Sequence, residues 1–222
     1  MAESHHTEIH QIATIVHGRY LVERGTTAED PPLLVGFHGY GENASAHLEK
    51  LRQIPGAGSW LLCAVQAPHP FYTKKGDVVA SWMTKQDREL AIDDNIRYAA
   101  SVVAELRRTH GHGGPLVYAG FSQGVAMAWR AAVRSGHPCQ GLIALAGDVP
   151  PEVASTRQAT VPPVLLGRGT DDAWYTEAVM AKDLETLATL GAEVTPCVFE
   201  GGHDWYDPFY AAAGDFLAQA IA

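Results

Sequence analysis

The chain has 222 residues, of which 46% are apolar and 18% charged, and its formal net charge is −9. This composition excludes a disordered or coiled-coil protein, and no basic run offers a surface for nucleic acid. Three scattered cysteines exclude a disulfide framework and fit a reducing compartment. No secretory or membrane-spanning apolar run is present. We therefore expect one cytoplasmic domain over residues 1–222, with a flexible tail at 1–8 and no stable membrane insertion.

Short apolar runs alternate with helical patterns along the chain. Residues 9–16 and 19–23 predict two N-terminal strands that pair across the turn at His17-Gly18. Continuous apolar runs predict buried strands at residues 33–37, 61–65, 116–119, 142–146, 164–166 and 194–199. Apolar residues at helical spacing predict helices at residues 92–106, 123–134, 174–190 and 209–220.

Strands that alternate with helices predict an α/β fold. We expect a mostly parallel central sheet with helices on both faces, an antiparallel N-terminal strand pair at its edge and no separate lid domain. In such sheets the chemistry lies in the loops at the carboxyl ends of the strands. The loops to inspect therefore follow Phe37, Ala119, Leu166 and Phe199.

The loop after Ala119 reads Gly120-Phe121-Ser122-Gln123-Gly124, a GxSxG pattern between a predicted strand and a predicted helix. In this tight turn a strained serine lifts its hydroxyl out of the sheet, and small neighbours let the helix approach. Ser122 is therefore the candidate nucleophile, and it needs a base to accept its proton. The structural alternative is a glycine-flanked turn with an N-capping serine.

The candidate base and acid follow the nucleophile along the chain. His203 comes directly after Gly201-Gly202 at the end of the last predicted strand. The acid is expected between the serine and the histidine, where Asp171 and Asp172 both qualify by spacing. Its role would be to hold the imidazole in one tautomer and to stabilise the imidazolium.

Acyl transfer also needs hydrogen-bond donors for the oxyanion. Gly39 and Gly41 flank Tyr40 in the loop after Phe37 and allow the backbone to turn its N–H groups inward. The backbone N–H groups of Tyr40 and of Gln123, the residue after the nucleophile, are the expected pair.

These loops resemble those of the phospholipase/carboxylesterase family of α/β-hydrolases, which contains small bacterial carboxylesterases and acyl-protein thioesterases. The resemblance extends from about Leu33 to the C-terminus. It is carried by FHGYGEN at residues 37–43, SW at 81–82, AGFSQGVAMA at 119–128, RGTDDAWY at 168–175 and GGHDW at 201–205.

The resemblance implies an α/β-hydrolase fold with Ser122 as nucleophile, His203 as base and Asp172 as the acid. It also implies oxyanion donors at Tyr40 and Gln123, and places Trp82 near the acyl pocket. The sequence departs from the family's pattern near the acid. It has Arg168-Gly169 where the family often has His-Gly, and the bulky Trp174 and Tyr175 are candidate substrate-binding residues beside the acyl pocket.

The predicted function is that of a serine carboxylesterase acting on short- to medium-chain esters through an acyl-enzyme. The partner is a small ester or thioester; no metal site is predicted and the mechanism needs no cofactor. The sequence is compatible with a homodimer. The alternatives are a thioesterase or lysophospholipase for longer acyl chains, a lyase using the same residues, and a non-catalytic ligand-binding relative.

Overall fold

The computed structural model describes residues 7–25, 29–111, 113–155 and 161–222. Its strands are β1 (Tyr20–Arg24), β2 (Leu33–Phe37), β3 (Leu61–Val65), β4 (His69–Tyr72), β5 (Val78–Ser81), β6 (Leu116–Phe121), β7 (Gly141–Leu145), β8 (Val164–Gly169) and β9 (Val194–Phe199). Seven of them form the central sheet in the order β1-β3-β2-β6-β7-β8-β9. All neighbours in this sheet are parallel except β1, which is antiparallel to β3, and β4 and β5 form a separate antiparallel pair.

Helices cover both faces of the central sheet. They are α1 (Ala44–Arg52), α2 (Arg88–His110), α3 (Gln123–Arg134), α4 (Pro151–Ala154), α5 (Glu177–Thr189) and α6 (Asp207–Ala220), with a 3₁₀ turn at Ala57–Ser59. Sheet glycines mark where helices lie close. A Cβ at Gly36 would meet His47 of α1, whereas one at Gly120, on the opposite face, would meet Val125 of α3. The predicted α/β fold is therefore confirmed, and no helix in the described ranges is long and apolar enough to cross a membrane.

The N-terminal hairpin is the main correction. β1 forms as an antiparallel strand, but its partner is β3, and residues 9–16 form no strand. Ile9, Ile12 and Ile15 recur every third residue, not every second, so no single sheet face could bury them. Ile12 is 89% exposed. Of the predicted tail at residues 1–8, residues 1–6 lie outside the described part.

Several elements form in segments to which the sequence patterns assigned neither a strand nor a helix. β4 and β5 build a hairpin between β3 and α2. Helix α4 lies between β7 and β8, in a segment of which residues 156–160 lie outside the described part. Helix α1 begins after Asn43, whose side chain accepts a hydrogen bond from the Ala46 N–H at 2.9 Å. This side chain satisfies one of the backbone donors that every helix leaves unpaired at its start.

Candidate active site

Ser122 lies at the sharp turn between β6 and α3. Its backbone has φ 52° and ψ −119°, a conformation that is strained for a residue with a side chain. A Cβ at Gly124 would lie 2.0 Å from the Phe37 carbonyl oxygen, and one at Gly120 would lie 2.6 Å from that of Gly124. Only glycine at these two positions lets α3 begin so close to β2 and β6.

Ser122, His203 and Asp172 form one hydrogen-bonded chain. The His203 Nε2 lies 2.8 Å from the Ser122 Oγ, and its Nδ1 lies 2.8 Å from the Asp172 Oδ2. The other oxygen of Asp172 accepts the backbone N–H groups of Trp174 at 2.8 Å and Tyr175 at 2.9 Å. Because this carboxylate is buried and held at both oxygens, it can orient the imidazole with the Nδ1 proton facing it and Nε2 facing the serine.

Asp171, the other residue that the spacing allowed, points away from this chain of contacts. Its side chain is exposed, whereas that of Asp172 is buried. Its backbone N–H donates to the Gly201 carbonyl oxygen at 2.8 Å. Through its backbone, Asp171 therefore ties the loop that carries Asp172 to the loop that carries His203.

The expected oxyanion donors lie on two loops that meet at Ser122. In the described part of the chain, no acceptor engages the backbone N–H of Tyr40 or that of Gln123. The neighbouring N–H groups are occupied, since Gly39 donates to the Glu42 Oε2 at 2.8 Å and Gly41 to the Ala80 carbonyl at 3.0 Å. The two free N–H groups can therefore bind a substrate oxygen.

Comparison with known proteins shows the family of this chain. The sequence model of the phospholipase/carboxylesterase family matches residues 21–221. The chain belongs to this family. Curated proteins give no match.

Solved structures similar to this chain include esterases and a thioesterase. Esterase PE8 is 25% identical, with a TM-score of 0.71 over 93% of this chain and 100% of its own. Acyl-protein thioesterase 2 of Zea mays is 18% identical, with a TM-score of 0.72 over 93% and 100% of the two chains. The carboxylesterase of Bacillus cereus is 16% identical, with a TM-score of 0.68 over 91% and 94%. Family and neighbours together support an esterase- or thioesterase-type α/β-hydrolase.

Trp82 packs beneath the candidate active site and donates hydrogen bonds to the loops around it. Its side chain, expected near the acyl pocket, is fully buried and is not among the residues that line the cleft at Ser122. The indole N–H donates to the His38 carbonyl at 2.9 Å, and the ring packs edge-on against Phe37. The Trp82 backbone N–H also donates to the side-chain oxygen of Gln123 at 2.9 Å. Trp82 therefore joins the two loops that carry the free N–H groups.

His38 also shapes this region, a role that the sequence did not predict. Its Nε2 accepts the Ala67 N–H at 3.0 Å, so the proton sits on Nδ1, which donates to the Gly39 carbonyl at 2.7 Å. Burial lowers the pKa of His38, which favours this neutral form. The buried imidazole thus satisfies the backbone N–H of Ala67 and the backbone carbonyl of Gly39, at the start of the Tyr40 loop.

A cleft of about 890 Å³ opens at Ser122 and His203. Tyr175 and the exposed Trp174, the two candidate substrate-binding residues beside Asp172, both line it. The Tyr175 hydroxyl donates to the Asp183 Oδ2 at 2.9 Å, and burial together with this carboxylate raises the pKa of Tyr175. In the ranges described, no three His, Cys, Asp or Glu side chains are grouped to hold a metal ion.

Proposed function

We propose that this protein is a serine carboxylesterase that hydrolyses short- to medium-chain carboxylic esters through an acyl-enzyme intermediate. The observation that carries the proposal is the continuous chain from the Ser122 hydroxyl through His203 to the buried Asp172, with both contacts at 2.8 Å. A serine that serves only as a helix cap would not need this histidine and carboxylate. Their arrangement is the one in which a base activates a serine nucleophile.

In the proposed reaction, Ser122 attacks the ester carbonyl carbon while His203 takes the hydroxyl proton. The developing oxyanion accepts hydrogen bonds from the N–H groups of Tyr40 and Gln123. His203 then gives its proton to the leaving alcohol as the tetrahedral intermediate collapses to the acyl-enzyme. His203 then deprotonates a water molecule, which attacks the acyl carbon. The carboxylic acid product leaves as His203 returns the proton to Ser122. Asp172 accepts the hydrogen bond from the His203 Nδ1 throughout and stabilises the imidazolium.

A fluorophosphonate probe tests whether Ser122 is activated. We expect intact-mass analysis to show one adduct, located by peptide mapping on Ser122, because the probe reacts with a serine only when a base accepts its proton. His203→Ala should abolish labelling, and His17→Ala, which changes an exposed histidine, should leave it unchanged. A folded wild-type protein that stays unlabelled would contradict the proposal and favour a non-catalytic ligand-binding relative.

The preference for short acyl chains rests on the walls of the cleft. Met83, Ala126 and Val179 offer apolar surface, but Lys85, Arg88 and Asp148 also line the cleft. A long alkyl chain would place its distal methylenes beside these charged groups, where burial gains little and desolvation costs free energy. We therefore expect the acyl chain to gain from the apolar residues over a limited length only.

A series of p-nitrophenyl esters from acetyl to palmitoyl measures this preference. We expect kcat/KM to rise by up to about fourfold for each methylene that finds apolar wall, then to fall for longer chains. A maximum at the dodecanoyl ester or beyond would contradict the proposal. It would favour the alternative of a thioesterase or lysophospholipase for long acyl chains, which a matched thioester series would then distinguish.

A further inference from the structure

Lys50 of α1 contacts three chain segments around the proposed active site at once. Its ammonium lies 3.0 Å from the Glu42 Oε1 and 2.8 Å from the Asp204 Oδ1. It also lies 4.5 Å from the centre of the Phe121 ring, within the range of a cation–π contact. Glu42 belongs to the Tyr40 loop, Phe121 precedes Ser122, and Asp204 follows His203.

Glu42 connects Lys50 to the Tyr40 loop. One carboxylate oxygen binds Lys50, and the other accepts the Gly39 N–H at 2.8 Å. The Glu42 backbone N–H donates to the Gly39 carbonyl at 3.2 Å, and its carbonyl accepts the Ala80 N–H at 2.8 Å. The free N–H of Tyr40 lies inside the turn that these bonds close.

Asp204 and Phe121 connect Lys50 to the segments that carry His203 and Ser122. The Asp204 Oδ1 accepts both the Lys50 ammonium and the Trp205 N–H, each at 2.8 Å. Burial alone would raise the pKa of Asp204, but these hydrogen bonds hold it below its ordinary value. The Phe121 ring packs against the His203 imidazole with 5.1 Å between centroids.

We propose that Lys50 is a positioning residue that holds the oxyanion loop, the nucleophile turn and the base loop in their catalytic arrangement. This inference rests on the proposed serine mechanism. Lys50 does not line the cleft, so it would act through its partners and not on substrate. The Arg97–Asp94 ion pair, at 72% and 70% side-chain exposure, is screened by water and contributes little to the structure. The Lys50 and Glu42 side chains are only 19% and 21% exposed, so their ion pair is screened less.

Lys50→Met tests the proposal. We expect kcat for p-nitrophenyl acetate to fall about 10- to 100-fold, because small misplacements of catalytic groups cost rates of this order. KM should stay within about twofold, since no cleft residue changes. Lys50→Arg, which keeps the charge and can reach both carboxylates, should recover most of kcat. Lys182→Met, on the exposed side of α5, is the matched control and should leave kcat unchanged.

Two further variants separate positioning from loss of stability. Asp204→Asn keeps an acceptor for the Trp205 N–H but removes the charge, and at 59% side-chain exposure it should fold normally. We expect it to lower kcat in the same direction, and to add less in the Lys50→Met background than it costs alone. Wild-type kcat in a folded Lys50→Met protein overturns the proposal, as does wild-type kcat in Asp204→Asn if Lys50→Met fails to fold. Failure of the serine mechanism is a separate result: wild-type turnover that survives Ser122→Ala.

Discussion

Ser122→Ala is expected to lower kcat/KM for p-nitrophenyl acetate by about 10⁴-fold or more and to leave the fold intact. The substitution removes the only atom that the proposed mechanism joins covalently to the acyl group. It keeps the N–H groups of Tyr40 and Gln123, which alone supply a small residual rate. Steady-state turnover measures the loss, and circular dichroism with a thermal melt checks the fold.

Ser101→Ala provides the matched control for this result. Ser101 is an exposed residue of α2 whose hydroxyl donates to the Arg97 carbonyl of its own helix, at 2.8 Å. Its loss should change kcat/KM by less than about twofold, as for most surface substitutions. If Ser122→Ala kept most of the activity while Ser101→Ala kept all of it, another nucleophile or an unrelated activity would have to explain the turnover.

The sequence predicted the positions of the candidate nucleophile and base because both depend on the order of strands, turns and helices along the chain. A strand, a glycine-flanked serine and a helix define the turn that holds Ser122. The carboxyl ends of parallel strands meet at one edge, so the residues after β6, β8 and β9 had to converge there. The structure brings Ser122 and His203 within 2.8 Å although they lie 81 residues apart in the chain.

Features that depend on packing between distant segments were not predictable in this way. Lys50 and Asp204 are 154 residues apart, and no pattern links a helix that the sequence did not reveal to the loop of the base. Family resemblance placed Trp82 near the acyl pocket, but it gave no sign that the indole N–H would donate to the His38 carbonyl. Residues 9–16 looked like a strand because of their β-branched residues, but their isoleucines do not alternate as one buried sheet face requires, and β1 pairs with β3 instead.

The candidate acid shows most clearly what spacing along the sequence cannot decide. Asp171 and Asp172 are adjacent, so any distance rule that admits one admits the other. The backbone decides between them. The Asp171 N–H pairs with the Gly201 carbonyl, and the next residue turns its carboxylate inward to His203 and to the N–H groups of Trp174 and Tyr175.

Exchanging each aspartate for asparagine should therefore give very different enzymes. Asp172→Asn is expected to lower kcat by about 10³- to 10⁴-fold, whereas Asp171→Asn, on the surface, should stay within about twofold. At position 172 two backbone N–H groups, at 2.8 and 2.9 Å, demand an acceptor, so the amide oxygen would face them. Its NH₂ group would then face the His203 Nδ1 and favour the tautomer with the proton on Nε2, which cannot accept the proton of Ser122. Steady-state turnover of the two folded variants tests this assignment. A larger loss in Asp171→Asn than in Asp172→Asn would contradict Asp172 as the acid.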